Sequence, residues 1–317
     1  MKAVRAADGA IAVVELDSPP GTGDELLTMK SASICSSDLM YLRYGLRAVA
    51  GHELAGVRPD GTPVIVEAIY GCGECDQCQA GRYNLCPTHP TRALGATADG
   101  GMAERFYAPA ARLVPVPDGL DVADASLAEP AAVSWHALRL GGTGADTSVA
   151  VVGAGALGLL AVAGARRLGA PEVTLEARHP HQAEAGERFG AKIGASGHHD
   201  VVVDAAGTQE SLTRAIELVG PRGRVVSVAP HMAPVQIDWR TLFHLEAAVI
   251  PSMGYCAHDD GAGGSSTELA EAAAMLAENP EIPQTLITHR FPVEDAAEAF
   301  RVAADRSAGA IRVVVEL

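Results

Sequence analysis

Four cysteines packed into one short stretch, Cys72, Cys75, Cys78 and Cys86, constrain this chain more than any other feature. Their C-x2-C-x2-C-x7-C spacing gathers four thiols into a lobe at residues 71–87, with Gly71, Gly73 and Gly81 available for the tight turns a metal knuckle needs. The opening Met1-Lys2-Ala3-Val4-Arg5 lacks the apolar segment of a secretory signal. In that setting clustered thiols hold metal more often than they form disulfides. Four thiolates on one tetrahedral zinc leave no position for a substrate, so this site is expected to be structural.

A lobe of this kind needs a body to sit on, and 317 residues suit one large domain or two of ordinary size. With 48% hydrophobic residues the chain can bury a core, which excludes wholesale disorder. With 4% aromatics that core must be built from Ala, Val, Leu and Ile. The 24 basic against 39 acidic residues, net −15, argue against nucleic acid or an anionic membrane as partner. No stretch approaches 18 consecutive apolar residues. A soluble, cytoplasmic protein is expected.

Two patterns divide the chain. Residues 10–16, 26–34, 64–69 and 104–108 read as short strands between Pro/Gly clusters, and 36–43 as one or two helical turns. From about Glu129 helices and strands alternate: helix 131–140, strand 148–152, helix 156–168, strand 172–176, helix 181–189, strand 201–204, helix 209–219, then strands 224–228 and 247–250. Such alternation implies a doubly wound parallel sheet. A Gly/Asp-rich link, 259–266, is expected to be mobile, and helix 267–277, strand 286–290, helix 293–304 and strand 311–315 follow. Only residues 190–200 separate the helix ending at 189 from the next strand. Eleven residues cannot hold both a strand and a crossover helix, so the third strand should be vestigial or lead into an extended link.

Strand 148–152 runs into Gly153-Ala154-Gly155-Ala156-Leu157-Gly158 and then a helix. At a strand-to-helix turn this G-x-G-x-x-G reads as a dinucleotide site: Gly153 for the turn, Gly155 for the approach of the pyrophosphate, Gly158 for helix packing, and the amides of Ala156 and Leu157 at the helix N-terminus. A further set is scattered: Cys35 in Cys35-Ser36-Ser37-Asp38, His52 in Gly51-His52-Glu53, and Glu129 in Glu129-Pro130. Taken singly these read as a buried thiol, a satisfied polar residue and a helix N-terminal carboxylate.

Together, and in this order, these motifs resemble the zinc-dependent medium-chain alcohol and polyol dehydrogenases over nearly the whole chain. The sorbitol and threonine dehydrogenase branch is nearest, because its third zinc ligand is an acid at the Glu-Pro position. The resemblance implies an α/β fold: a GroES-like β-rich catalytic domain (residues 1–130 and 257–317) and a Rossmann domain (131–256), with cofactor and substrate in the cleft between them. It implies two zinc ions, one on Cys35, His52 and Glu129, the other on the four-cysteine lobe. Glu53 would stand beside the first ion or serve as an occasional fourth ligand. Asp38 would fix the tautomer of His52, and Ser37 would accept the substrate's proton. The reaction implied is hydride transfer between a secondary alcohol, polyol, cyclitol or sugar-like, and a nicotinamide, in a dimer or tetramer.

The chain departs from that family at Met40, where many members carry a proton-relaying histidine, and in the short segment between Asp38 and Gly51. Counting from Gly153, the position of the ribose-binding acid is Ala177, followed by Arg178 and His179. Basic residues there favour NADP(H) over NAD(H), with Glu176 facing away from the ribose. Tyr41, Tyr44 and Trp135 are either pocket walls or packing. Cys256 reads as a buried thiol, and His179, His181, His198 and His199 as solvated. Two other readings remain: a zinc-free quinone or enoyl reductase, which would lack both cysteine groups, and a silent nicotinamide-binding regulatory protein, which would show a damaged ligand set.

Overall fold

The computed structural model describes residues 1–7, 9–45, 47–259, 265–305 and 307–317, which form two compact units: Met1–Glu129 with Cys256–Leu317, and Pro130–Tyr255. The first unit opens with the hairpin β1 (Lys2–Ala7) and β2 (Ala10–Glu15). It continues through β3 (Glu25–Ser33), α1 (Ser36–Arg43), β4 (Glu53–Val57), β5 (Pro63–Val66), α2 (Asp76–Gln79), β6 (Arg105–Ala108) and β7 (Leu113–Pro115). Alternation along β3 buries Leu27 and Met29 and exposes Thr28 and Lys30, so one face of the strand packs on the core.

The second unit takes in most of α3 (Ala128–Gly141), then β8 (Val149–Val152), α4 (Ala156–Arg167), β9 (Val173–Glu176), α5 (Pro180–Arg188), β10 (Lys192–Ile193), β11 (His199–Asp204), α6 (Gln209–Leu218), β12 (Val219–Ser227), α7 (Trp239–Leu245) and β13 (Ala248–Pro251). These six strands are parallel in the order β10-β9-β8-β11-β12-β13. Val149 to Val152 and Val201 to Val203 are all buried, the unbroken apolar run expected of strands covered on both faces. The third strand, β10, is two residues long, and no helix lies between it and β11. The short connection dictates that truncation.

The chain then returns to the first unit. Ala257–Asp259 (β14) and Ser265–Thr267 (β15) pair antiparallel; of the expected mobile link, residues 260–264 lie outside the described residues. Helices α8 (Glu268–Glu278) and α9 (Glu281–Leu286), strand β16 (Ile287–Pro292), α10 (Ala296–Ala304) and β17 (Arg312–Glu316) follow. β17 pairs with β3, completing the path β16-β17-β3-β4-β5-β7, with β6 on the other edge of β3. Among the described residues no helix is long and apolar enough to cross a membrane.

Three expectations need correction. The strand at 64–69 stops at Val66, and the strand expected from 224 begins at Val219, because Arg222 takes a positive φ of 59° and lets the chain turn within it. His199 is not solvated: it is the first residue of β11 and 3% exposed, its ring nitrogens without hydrogen-bond partners among the described residues. The helices 239–245 and 281–286 and the strands β1 and β4 have no counterpart in the sequence reading.

Candidate active site

The end of β3 carries the chain through Ile34 to Cys35, which caps α1. The backbone N–H of Cys35 donates to Asp38 Oδ2 at 2.9 Å, the reciprocal bond of a capping box, so the first turn of α1 fixes both residues. Asp38 is thereby buried (4% exposed), and its Oδ1 lies 3.2 Å from His52 Nδ1 on the approach to β4. The other ring nitrogen, Nε2, is 3.3 Å from Ser37 Oγ. Antiparallel pairing of Ser33 with Glu53 holds these two chain segments side by side.

Cys35, His52 and Glu53 each place one ligand atom within 4.8 Å of the others. Glu129, in the first turn of α3 and 6% exposed, is not a member of that set but is buried beside it. Burial, then the negative charges of Glu53 and Asp38, push its carboxyl up to about 8 against the pull of His52 and Arg312. Burial works to lower the pKa of His52, yet the Asp38 carboxylate and Cys35 hold it well above the usual histidine value. A thiol, an imidazole and three carboxyl groups thus crowd a buried space together with the Arg312 guanidinium. Thiolate, imidazole and carboxylate donors fit a zinc-type divalent cation, whose charge would favour the ionised form of Glu129 over the protonated form that burial favours.

Arg312 is the residue that sequence reasoning missed. Its Nη1 donates to both Glu53 oxygens at 3.0 Å and to the Ile34 carbonyl at 2.9 Å, with Arg312 6% and Glu53 0% exposed. A lone arginine opening the apolar run Val313-Val314-Val315 was the available signal. Tyr41, one turn after Ser37 on α1, is partly buried; Tyr44 is 65% exposed. Trp135 is buried in the second unit under the Arg167 guanidinium, 5.3 Å from its ring, so it is packing.

In the lobe, Cys72, Cys75, Cys78 and Cys86 bring their four sulfurs within 4.8 Å of one another. The Sγ atoms of Cys72 and Cys78 are 4.0 Å apart, a spacing for a shared metal rather than a disulfide. The Cys72 and Cys75 amides donate to Cys86 and Cys72 sulfurs at 3.3 and 3.4 Å, and the Cys86 thiol, bonded by Thr88 and the Cys72 amide, is lowered to about 5. Such donors favour the thiolate at Cys72 and Cys86, the form a metal binds, whereas burial pushes the Cys78 thiol up to about 11. A Cβ at Gly71 would stand 2.5 Å from Cys78 Sγ, so the lobe closes only around glycine there. Tyr83, between the third and fourth cysteines, donates to Glu67 at 2.6 Å, and Arg112 bonds the same carboxylate at 3.2 Å while lying over the Tyr83 ring. This network ties the lobe to the sheet.

In the second unit, Gly153 has φ +106°, and a Cβ on Gly158 would sit 1.8 Å from the Gly153 carbonyl oxygen. Nothing lies within 4 Å of the Cβ direction of Gly155, the N-cap of α4. The turn is tight where strand meets helix and open where a pyrophosphate would lie; Ala156 and Leu157 begin the helix whose N-terminus faces it. Glu176 closes β9, accepting from Arg214 Nη2 and Nε at 2.9 and 3.2 Å. Arg178 follows, and His179 caps α5, stacked on His181 at 5.7 Å.

Comparison with known proteins agrees with both halves of this picture. The model of the alcohol dehydrogenase GroES-like domain matches residues 21–118 and that of the zinc-binding dehydrogenase matches residues 156–272, together well over half of the chain. The chain belongs to the zinc-type medium-chain alcohol and polyol dehydrogenase family. It is 29% identical to the L-galactonate-5-dehydrogenase of Escherichia coli strain K12 over 89% of this chain and 88% of that protein. It is 27% identical to sorbitol dehydrogenase 1 of Saccharomyces cerevisiae over 86% and 85%. A solved structure described as a zinc-binding dehydrogenase from Sinorhizobium meliloti 1021, bound to NADP, superposes with a TM-score of 0.85 at 27% identity, covering 100% of this chain and 99% of that one. The chain is accordingly an NAD(P)-dependent oxidoreductase acting on secondary alcohols.

Proposed function

We propose that this enzyme oxidises a secondary hydroxyl of a polyol or sugar acid, or runs the reverse reduction, with two zinc ions per chain and NADP(H) preferred over NAD(H). The observation carrying this reading is the convergence of Cys35, His52 and Glu53 within 4.8 Å, with Glu129 buried beside them. Bound zinc would supply Lewis acidity toward the alcohol oxygen, and a bound nicotinamide would supply the hydride acceptor. Cys35, His52 and Glu129 would hold the ion, and Asp38 Oδ1, 3.2 Å from Nδ1, stands on the far side of the ring, leaving Nε2 to face it. Ser37, 3.3 Å from that Nε2, takes the substrate's proton. Glu53, bonded through both oxygens to Arg312, stays out of the ligand set while that pair is intact. Cys72, Cys75, Cys78 and Cys86 hold the second ion, whose role is structural.

The L-galactonate and sorbitol dehydrogenase relatives support the substrate class, and the NADP of the Sinorhizobium protein supports the cofactor. The engagement of Glu176 by Arg214 supports it further, because that carboxylate, next to the position of the ribose-binding residue, is already paired. Association with a second copy is supported by α7, where Trp239 and Phe243, one turn apart, are 73% and 70% exposed. A panel of polyols, sugar acids and simple secondary alcohols, each with NAD and NADP, tests the reading. Turnover of a polyol or sugar acid, at least about 10²-fold lower in Ser37→Ala, is expected. No turnover across the panel by zinc-loaded protein would sink it.

A further inference from the structure

Strand register aligns Glu176, Val152, Asp204, Ser227 and Pro251 in one row across the carboxyl edge of the parallel sheet. Two of these belong to a polar cluster that the reaction described above does not use. Asp204 is fully buried. Its Oδ1 accepts from the Ala206 and Gly207 amides, both at 3.2 Å, and its Oδ2 lies 3.2 Å from Ser227 Oγ and 3.3 Å from His231 Nε2. Ser227 Oγ is also 3.3 Å from that same Nε2.

Serine, histidine and aspartate here do not make a nucleophile. Hydrolytic catalysis needs the two imidazole nitrogens to face different partners, one the acid and one the hydroxyl. Here Nε2 faces both, and among the described residues nothing bonds Nδ1. Ser227 Oγ donates to Asp204 Oδ2 and so accepts from Nε2–H of His231; in that tautomer Nδ1 is a hydrogen-bond acceptor, on a side chain 17% exposed. The cluster is also close to the glycine turn. A Cβ on Gly153 would lie 2.9 Å from Ala206 Cβ, and one on Gly207 would lie 2.4 Å from Ala229 Cβ. The turn, the loop after β11 and the loop after β12 are therefore layered side by side.

A dinucleotide crosses the carboxyl edge of such a sheet, one nucleotide over each half of the strands. The half containing β9 carries Arg178 and His179; the half containing β11 and β12 carries Asp204, Ser227 and His231. We propose that His231, oriented by Asp204 and Ser227, binds the nicotinamide-riboside half of the cofactor through Nδ1, accepting a hydrogen bond from a hydroxyl or amide N–H of that half. Asp204 and Ser227 are positioning residues, and His231 makes the contact. This rests on the nicotinamide reading of the preceding subsection.

Binding, without turnover, tests it. Calorimetry of wild type and His231→Ala with NADPH, NADH and 2′,5′-ADP, which carries only the adenosine half, separates the two ends of the cofactor. Loss of one hydrogen bond should raise Kd for both dinucleotides about 5- to 10-fold. It should leave Kd for 2′,5′-ADP unchanged, and His231→Gln, which keeps an acceptor, should lie between wild type and His231→Ala. Unchanged dinucleotide binding in His231→Ala would overturn the proposal. So would an equal weakening for 2′,5′-ADP, since that marks a structural role. Failure of wild type to bind either dinucleotide would instead remove the nicotinamide reading itself.

Discussion

Replacing Arg312 by methionine removes the guanidinium paired with Glu53 and leaves the stem's apolar volume in place. In the native protein Arg312 Nη1 makes three contacts, at 3.0 Å to each Glu53 oxygen and 2.9 Å to the Ile34 carbonyl, from a side chain 6% exposed. The variant would leave the Glu53 carboxyl, at 0% exposure, without its guanidinium partner, and would remove one of the charges that oppose the rise of Glu129. Stripping one partner from a buried ion pair costs about 3–5 kcal/mol. At an m-value of about 3 kcal/mol/M this lowers the urea midpoint by about 1–2 M. The double variant Arg312→Met/Glu53→Gln removes both charges, so most of the penalty came from the stranded carboxylate if stability returns. We expect it to recover at least half of the loss, read by circular dichroism on the zinc-loaded protein. A cost below about 1 kcal/mol for Arg312→Met, or additive losses in the double variant, would refute this reasoning.

Three further outcomes are expected. Gly158→Ala would drive its Cβ onto the Gly153 carbonyl, 1.8 Å away, so the turn must open; NADPH binding should be lost, with stability down by about 1–3 kcal/mol in thermal unfolding. Burial raises the pKa of Glu67 above its ordinary 4.5, so the fold favours its protonated form. Stability tied to Glu67 is therefore complete below pH 4.5 and lost as pH rises through the raised value; urea midpoints of wild type relative to Glu67→Gln should fall across that window. Arg178→Ala should reduce the NADP-over-NAD ratio of kcat/KM about tenfold or more, and an unchanged ratio would show that Arg178 does not read a 2′-phosphate.

What could be read from the sequence was what is local in it. The four lobe cysteines fall within a few turns of chain, and Gly153 to Gly158 occupy a single strand-to-helix turn, so spacing alone exposes them. The vestigial β10 followed from counting residues 190–200. Arg312 and Glu53 are 259 positions apart, and only the pairing of β17 with β3 and of β3 with β4 brings them together; no periodicity announces such a contact. His199 failed for a related reason. Its polar neighbours His198 and Asp200 suggested a loop, but pairing of β11 with β8 and β12 buries it. Cys35, His52 and Glu129 lie in between: chemistry made them candidates and a family resemblance joined them, while the structure brings ligand atoms of Cys35, His52 and Glu53 within 4.8 Å of one another and buries Glu129 beside them.

Counting zinc in the purified protein and its variants tests the central claim most directly. Wild type, saturated and then freed of loose metal, should hold two zinc ions per chain by plasma mass spectrometry. Cys35→Ala should hold one, keep its circular dichroism spectrum and thermal midpoint within a few degrees, and lose turnover. Cys78→Ala should also lose one ion, but with destabilisation of the fold, because lobe zinc contributes directly to folding. One ion or none in wild type, or two ions retained in Cys35→Ala, would contradict the account.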